Sequence, residues 1–205
     1  MEQEKVWDAI AEKWAEFRVR ISPTVEDFLK NKNGKILDVG CGSGRNFLNS
    51  KNLEWYGIDF SKEMIKHAKK RAEELGIEVE LKKTDGDNIP FEDNYFDVVL
   101  CYAVLHCIKS PAKRKKTLEE IFRVMKPGAE ALISVWGKKS PRLKNKEKEC
   151  FVPWTIKENE GKQNRYTYLF DLEELKELAE RVGFKVLKSW EERNVNLIVQ
   201  KPISP

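Results

Sequence analysis

The feature that most constrains the fold is a short apolar run that ends in three closely spaced glycines. Residues 35–39 read Lys-Ile-Leu-Asp-Val, and Gly40, Gly42 and Gly44 follow with one residue between each pair. This pattern predicts a buried strand, a tight turn and a helix that begins at about Arg45. Glycine permits positive φ and has no Cβ, so a ligand can lie against the bare backbone. The N–H groups that open the helix would favour a carboxylate or a phosphate.

A second predicted strand ends in an acid at the position where a bound ribose needs one. Residues 53–59 close with Asp59, and a carboxylate there accepts hydrogen bonds from ribose hydroxyls in dinucleotide-binding folds. Arg45 stands where the dinucleotide fingerprint has its third glycine, so the pattern departs from NAD binding. We therefore expect a nucleoside ligand other than NAD. The alternative is a glycine-rich turn that only closes a βα unit.

Composition predicts one globular domain over residues 1–205. The chain has 40% hydrophobic residues and a net charge of +4, which is only a mild indication of a polyanionic partner. No run approaches 18 apolar residues and the N-terminus lacks an apolar signal region, so we expect a cytoplasmic protein with no membrane partner. The four cysteines form no C-x-x-C pair, which argues against a disulfide framework and a metal site.

Strand and helix patterns alternate along the chain and end in an antiparallel pair. This order predicts an α/β fold with a mostly parallel seven-stranded sheet, helices on both faces and an antiparallel C-terminal strand. The predicted strands are 35–39, 53–59, 78–82, 96–101, 129–136, 184–190 and 195–200. The predicted helices are 3–17, one that starts at 22–24, 45–50, 61–76, 111–124 and 171–183.

Two segments stand apart from this alternation. Residues 1–33 are expected to form a helical cap with an aromatic face, from which Trp14, Arg18 and Arg20 close over the ligand and the substrate. Residues 137–168 have few periodic apolar positions and carry a run of basic residues, so they are expected to be an insertion on the substrate side. That run consists of Lys138, Lys139, Arg142, Lys144, Lys146 and Lys148.

Residues 38–44 together with Asp59 resemble the glycine motif and the ribose acid of class I S-adenosylmethionine-dependent methyltransferases. The resemblance implies the Rossmann-like fold of that class and S-adenosyl-L-methionine as cofactor. It places Asp85 where the acid that binds the adenine amino group is found; the alternative is an Asx-turn residue. The expected cofactor-binding residues are Asp38, Gly40, Cys41, Gly42, Gly44, Asn46, Asp59, Phe60, Ser61, Met64, Asp85, Gly86, Asp87, Cys101, Tyr102 and Ala103.

A narrower resemblance covers nearly the whole chain. Residues 6–14, 103–106, 122–128, 133–136, 151–154 and 165–166 look like those of the tRNA wobble-uridine carboxymethyl methyltransferases, which include the methyltransferase domain of the AlkB-like tRNA enzyme. This resemblance implies a methyl ester formed on 5-carboxymethyluridine in the anticodon, and a small zinc-binding activator protein as partner. The family has two histidines where this chain has His106-Cys107, and Arg-Tyr-Tyr-His where it has Arg-Tyr-Thr-Tyr at 165–168.

The proposed acceptor sets what the catalytic residues must do. A carboxylate is ionised at neutral pH, so the site needs no strong base and alignment supplies most of the acceleration. Arg18 and Arg165, with Arg20, are candidates to orient the carboxylate or phosphates. His106 is expected to hydrogen-bond the base or the carboxylate, or to be a satisfied buried histidine. Trp136, like Trp154 and Tyr166, is expected either to stack on the flipped uridine or to pack in the core.

Two basic stretches, residues 109–116 and 138–148, are expected to follow RNA phosphates, or else to be a solvated lysine-rich surface. Two other functions stay open from the residues. One is a methyltransferase that acts on a small molecule. The other is a regulator that binds the cofactor without catalysis.

Overall fold

The protein has an α/β fold built around one mostly parallel sheet. The computed structural model describes residues 2–141, 143, 145–155 and 162–203. The strands are β1 (Gly34–Val39), β2 (Leu53–Asp59), β3 (Val79–Lys83), β4 (Phe96–Tyr102), β5 (Met125–Trp136), β6 (Glu149–Thr155), β7 (Lys162–Tyr168), β8 (Lys185–Glu191) and β9 (Asn194–Gln200). The helices are α1 (Glu2–Phe17), α2 (Pro23–Leu29), α3 (Lys62–Leu75), α4 (Pro111–Val124) and α5 (Leu172–Val182), with a 3₁₀ turn at Leu105–Cys107.

The central sheet has the strand order β3-β2-β1-β4-β5-β9-β8. Strands β1 to β5 pair in parallel, β9 runs antiparallel to β5, and β8 runs antiparallel to β9. The predicted seven-stranded sheet with an antiparallel C-terminal strand is therefore confirmed. The strand order reverses between β1 and β4, and ligands of open α/β sheets bind beyond the carboxyl ends of the strands at such a point.

Helices cover both faces of the sheet. Residues of α4 and α5, such as Leu118 and Leu175, pack on one face, while residues of α2 and α3, such as Phe28 and Ala68, pack on the other. The apolar residues of β1 and β4 are buried because each strand has covered faces on both sides. No helix in the described part of the chain is long and apolar enough to span a membrane.

The predicted helix boundaries around α3 are confirmed in atomic detail. The Ser61 hydroxyl accepts a hydrogen bond from the Met64 backbone N–H over 3.1 Å, which satisfies a donor of the first turn. Gly76 ends the helix in the left-handed region, with φ +63°. Because Ser61 lies two residues after Asp59, this cap also fixes where the chain leaves β2.

The predicted helix over residues 45–50 is wrong. Residues 42–46 form consecutive turns in which the Gly44 N–H donates to the Cys41 carbonyl, and the Phe47 N–H donates to the Gly44 carbonyl. Gly44 has φ +78°, which is incompatible with a right-handed helix. The glycine loop therefore has no helix N-terminus behind it that presents N–H groups to a ligand.

Strand β5 begins at Met125, four residues before the predicted start. Met125 pairs with Phe96 of β4, and its N–H still donates to Ile121 at the end of α4. The helix therefore passes directly into the strand.

The insertion contains an antiparallel ribbon, β6–β7, that the sequence pattern did not predict. Its register runs from Glu149 opposite Tyr168 to Thr155 opposite Lys162. Arg142 and Lys144 of the predicted basic run, and residues 156–161, lie outside the described residues. The cap helix α1 joins this ribbon, because the Gln3 side chain accepts from the Tyr166 N–H over 2.9 Å.

We predict that Gly44→Ala destabilises the protein more than Gly76→Ala. Both positions have positive φ, so both substitutions cost about 1 kcal/mol of backbone strain. A Cβ at Gly44 would lie 2.8 Å from the Phe47 ring and 3.3 Å from Ala68 Cα, whereas a Cβ at Gly76 meets nothing within 4 Å. The contact should add about 1–3 kcal/mol at Gly44 alone. Urea unfolding measures both variants, and equal losses would contradict the packing described here.

Candidate active site

The candidate site lies beyond the carboxyl ends of β1, β2 and β4, beneath the cap helix α1. The glycine loop passes under Trp14 of α1, and a Cβ at Gly42 would lie 3.9 Å from Trp14 Nε1 and 4.0 Å from Met64 Sδ. Gly40 packs closely on Val104, because a Cβ there would lie 2.5 Å from its methyl carbon. The backbone of the loop therefore stays bare toward the cap.

Asp59 fixes the glycine loop to the end of β2. Its buried carboxylate accepts from the Gly42 N–H through Oδ2 and from the Ser61 N–H through Oδ1, each over 2.9 Å. Burial raises the pKa of Asp59 to about 6; the two backbone bonds oppose the rise, and the charges of Asp8 and Asp85 add to it. The Gly42 N–H is thus already bonded to Asp59 and is not available to a ligand. Each carboxylate oxygen keeps acceptor capacity for a ribose hydroxyl.

A second buried acid, Asp38, lies beside Asp59 with half of its carboxylate unpaired. Asp38 is 0% exposed, and its Oδ2 accepts from Asn46 Nδ2 over 3.1 Å. Asp38 Oδ1 and Asn46 Oδ1 have no hydrogen-bond partner. Burial raises the pKa of Asp38 to about 7, with the Asn46 hydrogen bond opposing and the Asp59 charge adding to the rise. Two unpaired buried acceptors favour a ligand that brings a donor or a positive charge.

Sequence reasoning missed Asp8, which joins the cap to this site. Asp8 Oδ1 accepts from the Ser61 hydroxyl over 2.6 Å and from the Glu63 N–H over 3.3 Å. Ser61 in turn donates its backbone N–H to Asp59. The cap helix is therefore tied through one serine to the predicted ribose acid. An acid on α1 opposite the first turn of α3 is visible only in the folded chain, so no local signal identified it.

The other predicted cofactor residues fall into three groups by their surroundings. Phe60, Ser61, Met64 and Ala103 lie around the same crevice, and Ala103 is held with φ +66° by its N–H bond to Ser134. Asp85 is exposed at a turn, Asp87 pairs with Lys113 over 3.1 Å, and Gly86 packs on Thr117. Cys41 and Cys101 are buried thiols whose pKa values are raised by burial, and the Tyr102 hydroxyl shares a 2.8 Å hydrogen bond with Ser22.

On the acceptor side, four tryptophan rings enclose one guanidinium. Arg165 Cζ lies 5.1–5.6 Å from the ring centroids of Trp7, Trp14, Trp136 and Trp154, which we call the tryptophan cage. Arg165 is 5% exposed, its Nε has no hydrogen-bond partner, and no carboxylate of the described residues pairs with it. Burial lowers its pKa, but arginine stays protonated in proteins. Within the described part of the chain, the positive charge in the cage therefore has no carboxylate partner.

His106 lies next to the cage as a neutral ring. It stacks on Trp136 with a centroid distance of 4.6 Å, and its Nδ1 accepts from the Trp136 N–H over 3.4 Å. Burial, with the charge of Arg165 added, lowers the pKa of His106 to about 3. Because Nδ1 is the acceptor, the proton lies on Nε2, which is a hydrogen-bond donor. His106 also covers one face of Trp136, so only the remaining surface of that indole is open to a base.

The remaining acceptor-side residues come from the end of the cap helix and from the two faces of the β6–β7 ribbon. Arg18 lies at the edge of the cage, with its Cζ 5.2 Å from the Trp14 centroid. Successive strand residues point to opposite faces, so Tyr166 points away from Arg165 and packs on Phe151 instead. The structure thus brings Arg18, Arg165 and Trp154 together and leaves Tyr166 outside the cage.

The basic stretch at residues 109–116 is largely engaged within the protein. Arg114 is buried, with Cζ 3.8 Å from the Tyr168 ring centroid and one N–H bonded to the Ile108 carbonyl. Lys113, Lys115 and Lys116 form ion pairs with acids of the same region. The prediction that this whole stretch follows RNA phosphates is wrong for Arg114, because its guanidinium faces the aromatic core.

The sequence is similar to those of known and putative methyltransferases. Residues 36–128 match a family described as a methyltransferase domain. A putative methyltransferase from Encephalitozoon cuniculi is 31% identical over 175 residues, which cover 81% of this chain and 78% of that protein. A tRNA (carboxymethyluridine(34)-5-O)-methyltransferase from Schizosaccharomyces pombe is 29% identical over 215 residues, which cover 93% of this chain and 91% of that protein. The Arabidopsis thaliana protein of that name is 34% identical over 134 residues, 64% of this chain and 32% of its own length. This chain therefore spans about a third of the Arabidopsis relative.

Solved structures share the fold. A SAM-dependent methyltransferase from Methanosarcina mazei superposes with a TM-score of 0.72 at 25% identity, covering 90% of this chain and 100% of that chain. A putative methyltransferase in complex with the Haloferax volcanii Trm112 methyltransferase activator has a TM-score of 0.70 at 17% identity. The match covers 98% of this chain and 99% of that chain. The second likeness shows the fold alone.

We predict that S-adenosylmethionine binds more weakly as the pH falls from 7.5 to 5.5. A cationic ligand favours the ionised forms of Asp38 and Asp59, whose pKa values of about 7 and 6 lie in this range. Binding at pH 6.5 should therefore release protons, which calorimetry detects in buffers of different ionisation enthalpy. Asp38→Asn should remove the part of the pH dependence nearest pH 7. Wild-type affinity that stays constant over this range would contradict the role given to these acids.

Proposed function

Since the chain belongs to the class I S-adenosylmethionine-dependent methyltransferases, we propose that it methylates a carboxylate on the wobble uridine of tRNA, converting 5-carboxymethyluridine into its methyl ester. The names of the Schizosaccharomyces pombe and Arabidopsis thaliana relatives support this substrate. The acceptor side of the site supports it independently.

The observation that carries the proposal is the buried charge of Arg165, which has no carboxylate partner among the described residues. Burying a guanidinium without a carboxylate costs several kcal/mol that the cation–π contacts of the cage offset only in part. Such a charge is explained if the site binds an anion, because a guanidinium forms two parallel hydrogen bonds with a carboxylate. A neutral acceptor such as a hydroxyl or an amide would leave the charge uncompensated.

The reaction needs no proton transfer. When bound, S-adenosylmethionine supplies a methyl group on a sulfonium, so that one C–O bond forms, one C–S bond breaks, and the bonding electron pair leaves with a neutral thioether. Arg165 holds the carboxylate, and alignment with the methyl carbon supplies the acceleration. His106 is neutral and donates from Nε2, so it orients an acceptor oxygen or a base edge rather than moving a proton.

The two sides of the site carry opposite charge. Asp38 and Asp59 lie where the cationic donor is expected, while Arg165 lies where the anionic acceptor is expected, with Arg18 at the edge of its cage. The cap helix closes over both and excludes water, which strengthens each electrostatic contact. The positive charge of Arg165 also interacts with four indole rings, so its hydrogen bonds to the carboxylate are weakened. The carboxylate therefore keeps its nucleophilicity while Arg165 orients it.

The proposal includes two macromolecular partners. The first is tRNA, which the relatives' names support. The second is a small zinc-binding activator protein, which is supported by the likeness to the putative methyltransferase solved with the Haloferax volcanii activator.

The test is methyl transfer from labelled S-adenosylmethionine to tRNA that bears 5-carboxymethyluridine, with and without the activator. We expect label that mild alkali releases, because an ester hydrolyses where an N-methyl or ether group does not. Arg165→Met should lower the rate by at least about 30-fold, from the loss of a buried charge contact worth about 2–5 kcal/mol. The affinity for S-adenosylmethionine should stay within about threefold of the wild-type value, since Arg165 lies on the acceptor side.

Stability provides a second readout for the same variant. Methionine fills the cage without a charge, so Arg165→Met should unfold at the same or a higher urea concentration than the wild type. Arg181→Met, which removes an exposed arginine paired with Glu177 on α5, is the matched control and should change neither property. Alkali-stable label would point to another acceptor atom. Label only on small acids, or cofactor binding without any transfer, would favour the small-molecule enzyme or the non-catalytic regulator.

A further inference from the structure

An exposed aromatic ring stands at the edge of the tryptophan cage. Phe17, the last residue of α1, is 66% exposed, and Val19 two residues later is 46% exposed. Single exposed apolar residues are common, but Phe17 adjoins further aromatic surface. The Phe17 ring meets Trp154 edge-on with centroids 5.8 Å apart, and Arg18 Cζ lies 5.6 Å from the Phe17 centroid. Folding does not require Phe17 to be aromatic.

This ring is continuous with the acceptor side of the site. Trp154 contacts Phe17 on one side and encloses the Arg165 guanidinium on the other, at 5.1 Å from its centroid. Beyond the cage, Phe17 is therefore the next aromatic ring after Trp154, and it is more exposed. The spacing suits a nucleotide that follows the bound one along a single strand, since consecutive bases stack on consecutive rings.

The charge around Phe17 complements phosphate. Arg18 and Arg20 follow Phe17 in the chain, and Arg45 of the glycine loop donates its Nε–H to the Arg20 carbonyl over 2.7 Å. No carboxylate of the described residues forms an ion pair with the Arg20 or Arg45 side chain. The nearest acid in the chain, Glu16, contacts Lys13 at 2.6 Å. An exposed aromatic ring beside arginine residues is an arrangement that binds unpaired nucleotides.

We propose that Phe17 is a stacking platform for the unpaired base next to the methyl-accepting uridine, and that Arg20 and Arg45 bind the phosphate between the two. The platform reads no particular base, because every base has a π face. It fixes the direction in which the loop enters the site. This inference rests on the proposed function, since it requires a single-stranded RNA loop as the acceptor.

The test uses stem–loop RNAs that carry 5-carboxymethyluridine in the loop, with either an intact or an abasic neighbour on each side. Affinity is measured by fluorescence anisotropy with S-adenosylhomocysteine present. For the wild type, one abasic neighbour should weaken binding about tenfold, as expected for one base stacked on an aromatic ring. Phe17→Ala should weaken binding of the intact loop by the same factor. The Phe17→Ala variant should then bind the abasic loop and the intact loop with equal affinity. Phe17→Trp should retain the wild-type affinity.

Phe151→Ala is the matched control. Phe151 is also exposed, at 55%, but it lies on the opposite face of the β6–β7 ribbon from Trp154. It should leave RNA affinity unchanged, and neither alanine variant should alter S-adenosylmethionine affinity.

The outcomes separate this inference from the function on which it rests. If the wild type neither binds nor methylates the intact loop, the tRNA proposal fails. If the wild type does both but Phe17→Ala binds as tightly, or if the Phe17→Ala and abasic losses simply add, the platform is overturned while the function stands. An effect of Phe17→Ala only on binding of the activator protein would also overturn it, because the surface would then be a protein interface.

Discussion

A buried guanidinium with no carboxylate partner among the described residues lies where three parts of the chain meet. Trp7 and Trp14 come from the N-terminal cap, Trp136 from the end of a central strand, and Trp154 from the same ribbon as Arg165. These segments also meet through the Gln3–Tyr166 hydrogen bond and through the ring contact between Trp14 and Trp154. The acceptor side of the site therefore carries a positive charge that a bound anion would balance.

The cofactor side of the site carries acidic residues, whose charge is opposite to that of Arg165. The chain collects Asp38, Asp59 and Asp8 around the glycine loop and uses backbone N–H groups and Ser61 to hold two of them in place. Burial raises the pKa of Asp38 to about 7 and that of Asp59 to about 6, and a bound cation would favour their ionised forms. A reaction between a sulfonium and a carboxylate joins a positive to a negative reactant, and the site is divided in the matching way. Phe17 extends the acceptor side outward to the surface on which an RNA loop would arrive.

Local signals in the sequence predicted the fold well, and most residues expected on the cofactor side come from one short stretch of chain. The buried strand, the glycine turn, Asp59 and the Ser61 cap all lie within 30 residues, and each follows from backbone geometry or apolar periodicity. The predicted helix at 45–50 failed because apolar spacing does not report the positive φ of Gly44. The β6–β7 ribbon was missed because β7 begins with four consecutive polar residues and β6 has a proline at position 153, neither of which is typical of a strand. The cage itself joins residues up to 158 positions apart, so no window of sequence contains it.

The central claim is that Arg165 is present to bind an anionic acceptor. It is tested most directly by comparing two stem–loop RNAs that differ only in the uridine substituent, the carboxymethyl acid and its carbamoylmethyl amide, with S-adenosylhomocysteine bound. We expect the wild type to bind the acid at least about 30-fold more tightly than the amide, from a buried charge contact of about 2 kcal/mol or more. Arg165→Met should bind the two equally. Equal affinities in the wild type, or a preference for the acid that survives in Arg165→Met, would contradict the account.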